Sequence, residues 1–131
     1  MLDTHSLLWW LSGHSELSEN AGAAIERELQ ESSGAVLVSA ISAWEIGMLV
    51  NLNRLTLTMS VDDWLEAAAD VEGVRFVPVD NATAVESTRL PGEFHKDPAD
   101  RMIVALARHL NVPLITADKK IRDYKHVRSI W

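Results

Sequence analysis

Short apolar, β-branched runs alternate along this chain with stretches of helical periodicity, and few architectures accept that order. The strand-like runs are 1–2, 35–38, 74–79, 113–115 and 127–130. Helical patterns fill the intervals at 5–11, 19–31, 41–52, 61–71, 81–90 and 98–110. Strands separated by helices pair in parallel through right-handed crossovers. The predicted fold is therefore α/β, a three-layer α/β/α sandwich whose central, mostly parallel sheet has about five strands. With 131 residues and no repeat or flexible linker, the chain reads as one domain, 1–131. Helix starts are marked by capping residues at Ser18, Ser60 and Asp80, and by Asp97-Pro98-Ala99-Asp100.

Four acids interrupt or end the apolar runs: Asp3 after Met1-Leu2, Glu45 within 40–50, Asp100 ahead of 102–110, and Asp118 after 112–116. A carboxylate beside so much apolar sequence needs something positive to offset its desolvation. Only Arg101 and Lys119 stand near them in sequence. A divalent cation on oxygen ligands is the economical remedy. Each acid also has a plainer reading. Asp3 and Asp118 could cap the next helix, Asp100 could serve the helix dipole, and Glu45 could lie on a solvent stripe with Ser42 and Asn51. In open parallel sheets, ligands bind beyond the carboxyl ends of strands, where three of the runs meet Asp3, Ser39 and Thr116.

Several chemistries are excluded. Without cysteine there is no disulfide, thiolate zinc site or cysteine nucleophile. The five histidines form no His-x-x-x-His or Glu-x-x-His pair, and neither a Gly-x-Ser-x-Gly elbow nor a phosphate-binding glycine loop is present. The apolar stretch 6–11 is too short to span a bilayer and lacks the flanks of a secretion signal, so a cytoplasmic protein without membrane contact is expected. The net charge of −7 conceals an asymmetry: residues 1–88 carry three basic and fourteen acidic side chains, residues 89–131 nine basic and five acidic. A polyanion could dock on that basic portion. His95, in the loop before Lys96, Arg101 and Lys119 are the candidate substrate contacts. Trp9, Trp10, Trp44 and Trp64 lie on predicted helices, enough to suit a partner interface as well as a core.

The words around the acids resemble those of PIN-domain proteins, and more narrowly of VapC-type toxins. They are Leu-Asp-Thr-His-Ser-Leu-Leu-Trp-Trp-Leu at 2–11, Val-Ser-Ala-Ile-Ser-Ala-Trp-Glu-Ile at 38–46, His-Lys-Asp-Pro-Ala-Asp-Arg-Met-Ile-Val-Ala at 95–105 and Leu-Ile-Thr-Ala-Asp-Lys-Lys-Ile at 114–121. The resemblance runs from residue 2 to the closing Val-Arg-Ser-Ile-Trp. It implies an endoribonuclease dependent on Mg²⁺ or Mn²⁺, held inactive by a cognate antitoxin, acting on RNA (transfer RNA being a frequent target) and forming a homodimer. Asp3, Glu45, Asp100 and Asp118 match the family's catalytic and metal-binding acids. Asp97 matches a supporting aspartate, and Thr4, Ser39 and Thr116 match small polar positions around the site. Such proteins usually carry several apolar residues before the first aspartate. Here there are two, so Asp3 is expected to be the least firmly held of the four. A rival reading, a phosphoacceptor receiver domain, would need an acidic pair after the first strand, where Asp3 is followed by Thr4. Another is a PIN-like module that binds without catalysing.

Overall fold

Strand β1 (Val36–Ser39) shows why the sheet is covered twice: Val36 and Val38 join one apolar cluster while Leu37 packs against the other. A strand apolar on both faces belongs inside a parallel sheet. The computed structural model describes residues 1–131. In it β1 pairs in parallel with β2 (Val74–Val77), and β3 (Leu114–Ile115) pairs in parallel with β4 (Ser129–Ile130). Leu2 links the two pairs through parallel bridges to Val38 and Ile115.

The expected sheet of about five strands is thus four short strands and a single bridging residue. The cause is local: Asp3 already caps α1 (Thr4–Ser12), so the chain turns into a helix directly after Leu2. Likewise β2 stops at Val77, short of the expected residue 79, where Pro78 can offer no N–H to a neighbour.

Helices cover both faces. Leu7 and Leu8 of α1, Ala21 and Ile25 of α2 (Glu19–Gln30) and Ile46 of α3 (Ile41–Asn51) pack with Leu2, Val38 and Ile115. The flank of α4 (Val61–Asp70) joins them through Trp64 and Leu65. On the opposite face, Ile103, Val104 and Leu106 of α6 (Pro98–His109) pack with Met1, Leu114 and Ile121. Helix α5 (Asn81–Thr88) lies against α6, and Ile121 belongs to α7 (Lys119–Arg122), a single turn absent from the sequence reading. Ser18, Ser60, Asp80 and Asp97 cap their helices as expected, each side chain accepting an N–H of the first turn. No helix is long and apolar enough to cross a membrane.

Leu2 is fully buried where the two strand pairs meet, and its N–H donates to the Leu37 carbonyl at 2.9 Å. Truncating such a side chain removes its transfer energy and leaves a cavity. Leu2→Ala is expected to lower unfolding free energy by about 2–5 kcal/mol in urea titration. A loss under about 1 kcal/mol would show that the Leu2 side chain does not anchor the core between the two strand pairs.

Candidate active site

Asp3, Thr4, Glu45, Asp97, Asp100 and Asp118 line one pocket of about 390 Å³, together with His5, Trp9 and Ala117. The four acids singled out in the sequence come from four separate segments, and the fold brings them together. Asp3 follows Leu2 at the sheet's middle, and Asp118 follows β3. Glu45 sits in the second turn of α3, and Asp100 in the first turn of α6.

The aspartates at the strand ends are also helix caps. Asp3 Oδ1 accepts the Ser6 N–H at 2.8 Å, and Asp118 Oδ1 accepts the Lys120 N–H at 2.8 Å. Capping and a site role do not exclude each other, because each cap uses one carboxylate oxygen. Asp3 is 7% exposed and its own N–H donates to the Ile115 carbonyl at 3.1 Å. The acid expected to be least firmly held is anchored through backbone and side chain alike. Asp97 caps α6, accepting the Asp100 N–H at 2.9 Å.

Glu45 is fixed by Thr4, whose hydroxyl lies 2.5 Å from Oε1 and 2.9 Å from Ser42 Oγ. An ionised carboxylate only accepts, so Thr4 donates its single proton to Glu45 and Ser42 donates to Thr4. Thr116 is fully buried and accepts the Asp118 N–H at 3.0 Å, shaping the turn that presents Asp118. Ser39, also fully buried, accepts the Ile41 N–H at 3.3 Å and lies outside the pocket lining.

His95 folds back on Asp100, with Nε2 and Oδ2 2.6 Å apart, while its Nδ1 is buried without a partner. Ligand atoms of His95, Asp100 and Asp118 all lie within 4.8 Å of one another, close enough to share one cation. Arg101, expected at the substrate, has other occupations. Its Nε donates to the Ser87 carbonyl at 2.7 Å, and its Nη1 to the carbonyls of Phe94 and His95 at 3.0 and 3.1 Å. It clamps the loop that carries His95. Lys119 is exposed and pairs with Asp123 one turn along.

No lysine or arginine forms an ion pair with any of the four acids. Burial pushes the Glu45 carboxyl above its ordinary range, and the like charges of Asp100 and Asp97 push it further against the Thr4 hydrogen bond. Asp100 is raised by burial, then by Asp97 and Asp118, with His95 opposing. Between the ordinary and the raised values the folded chain therefore holds protons at both sites that the unfolded chain has released. Their contribution to stability is full below the ordinary values of 4.5 and 3.8, and is lost as pH rises through the raised values. Glu45→Gln removes one share of that loss. Without metal, its unfolding temperature is expected to fall less than wild type's between pH 4.5 and neutrality. Parallel melting curves would show that Glu45 carries no such strain.

A model of the PIN domain matches residues 1–127. This chain belongs to the PIN domain family. Among curated proteins, the PIN domain described here is 35% identical to "Ribonuclease VapC22" of Mycobacterium tuberculosis over 133 residues, covering 100% of this chain and 97% of that protein. Among solved structures it resembles a toxin–antitoxin complex from Klebsiella pneumoniae (TM-score 0.63, 21% identity, 96% of this chain and 92% of that one). It also resembles FitAcB from Neisseria gonorrhoeae (TM-score 0.65, 20% identity, 98% and 94% covered). At those identities the structures establish the fold alone. The reading of His5 and Trp9 as pocket lining was open to the sequence only through their spacing, one helical turn apart just after Asp3.

Proposed function

We propose that the protein is a metal-dependent endoribonuclease, the toxin of a toxin–antitoxin pair, hydrolysing RNA phosphodiesters in the carboxylate pocket. One observation carries the reading: four carboxylates from four segments meet in a pocket with no lysine or arginine paired to them. The relative named a ribonuclease, matched end to end, supports it.

The donors fit a hard divalent cation such as Mg²⁺ or Mn²⁺. They are carboxylate oxygens with the His95 imidazole beside them, the chain has no thiol, and the Glu45 and Asp100 carboxyls are raised by burial and then by like-charged neighbours, both of which a cation would offset. Asp3, Asp100 and Asp118 would hold it, with Glu45 sharing that role or orienting the attacking water. When bound, it supplies acidification of water and charge stabilisation on the phosphoryl oxygens. The chain's own residues set the geometry. Thr4 holds Glu45 Oε1, Asp97 fixes the backbone at Asp100, and Arg101 holds the His95 loop against Asp100. A glutamate with a raised pKa also makes a better acceptor for a proton from water. Attack by water rather than by the ribose 2′-hydroxyl leaves a 5′-phosphate and a 3′-hydroxyl.

The basic portion of the chain gives the RNA backbone a route. Lys120, Lys125 and His126 line a cleft of about 750 Å³, alongside Glu93 and Asp123, and His95 also lines it, so the cleft and the acidic cluster share a residue. Trp44 and Met48 of α3 and Leu52 at its C-cap stand exposed at successive turns, an apolar stripe suited to the antitoxin or to a second copy in a homodimer. A single domain over 1–131, a cytoplasmic location and transfer RNA as substrate belong to the same proposal. Sequencing RNA 5′ ends after induced expression tests it. New ends concentrated at a few positions, and absent when the antitoxin is co-expressed, are expected; an unchanged profile would refute the reading.

A further inference from the structure

We infer that Trp9, with His5 beside it, forms a nucleobase-stacking wall of the carboxylate pocket. The wall would hold one unpaired nucleotide next to the phosphate that is cut. This rests on the ribonuclease reading and deepens it.

Helix α1 divides its side chains. Leu7 and Leu8 are buried in the core, and Trp10 and Leu11 pack against its edge. Trp9, half-buried, packs against neither core cluster. It lines the pocket instead, as does the exposed His5 one turn earlier, their ring centres 5.7 Å apart and tilted by 51°. The same helix is capped by Asp3, and at 1.5 Å of rise per residue Trp9 lies roughly 9 Å along the axis from it.

The indole is held from outside the pocket. His14 lies nearly parallel to it, at 26° and 6.3 Å, and Trp131 meets it at 54° and 5.8 Å. A ring fixed before binding loses little freedom on stacking. Beside acids that would hold a cation, an aromatic wall suits a ligand whose phosphate meets that cation and whose flat base needs a partner. Base–aromatic stacking serves that end and tolerates any base, which suits single-stranded RNA.

The test uses an RNA oligonucleotide that the wild type cleaves in Mn²⁺, and copies carrying one abasic nucleotide at each position around the cut. Trp9→Leu is expected to slow cleavage by about 10- to 100-fold, the size of one base–aromatic stack, with Trp9→Phe retaining most of the rate. One abasic position beside the cut should slow wild type by a similar factor and Trp9→Leu no further. An equal abasic penalty in both proteins, or a Trp9→Leu enzyme as fast as wild type, overturns the wall while leaving the nuclease reading intact. So does a Trp9→Leu variant that loses only its inhibition by antitoxin. Wild type that cleaves no RNA overturns both. If Trp9→Leu fails to fold, Trp9→Met takes its place in the abasic comparison: no further penalty in that variant supports the wall, a penalty equal to wild type's refutes it.

Discussion

Asp100→Asn is expected to lower RNA cleavage in Mn²⁺ by more than about a hundredfold while leaving the protein folded. Asp100 is where the site's interactions converge. His95 meets its side chain, Asp97 fixes its backbone, and Asp118 lies close enough to share a ligand with it. Loss of an outer-shell partner alone typically costs about 10- to 100-fold in metal affinity or activity. Loss of a ligand's charge should exceed that. Asparagine keeps the size of the side chain and its place in the first turn of α6, and it removes a carboxylate whose burial and like-charged neighbours already disfavour ionisation. The melting temperature without metal should therefore hold or rise at neutral pH. A purely structural aspartate would behave differently, with cleavage falling only as far as the fold is lost.

Mn²⁺ or Mg²⁺ at about a hundred times its dissociation constant is expected to stabilise the wild type by roughly 2.7 kcal/mol. For a domain of this size that is a rise of roughly 10 °C in melting temperature. The shift would follow from linkage: the cation would bind a pocket that exists only when Asp3, Glu45, Asp100 and Asp118 are brought together by folding. Excess EDTA should abolish the shift, and Asp100→Asn should lose most of it. An equal shift in that variant would place the cation elsewhere.

The helix caps were legible because a capping side chain and the first turn are adjacent in sequence. Ser18, Ser60, Asp80 and Asp97 could each be read from a few residues. The parallel pairing was legible through the alternation of short apolar runs with helical patterns, and Val36, Leu37 and Val38, apolar on both faces of one strand, agree with it. Strand length was not, since β3, β4 and the Leu2 bridge are set by partners far away in the chain. Helix α7 escaped because a four-residue turn rich in lysine has no apolar period to detect.

The acids stood out by clashing with their apolar surroundings, a purely local signal. Their neighbours misled for a geometric reason. Arg101 follows Asp100 on a helix, and successive helical residues point about 100° apart, so its guanidinium reaches the Ser87, Phe94 and His95 carbonyls instead. Lys119 opens α7 just after the extended cap Asp118, and its exposed side chain runs along that turn to Asp123. The meeting of His95 with Asp100 depends on a loop folding back, for which no periodicity exists.

The chemistry of the cut ends tests the account most directly. Purified wild type should cleave RNA in Mn²⁺ to fragments ending in 5′-phosphate and 3′-hydroxyl, with cleavage abolished by excess EDTA and by Asp100→Asn. Fragments ending in a 2′,3′-cyclic phosphate, or undiminished cleavage in EDTA, would contradict hydrolysis by a metal held among these four carboxylates.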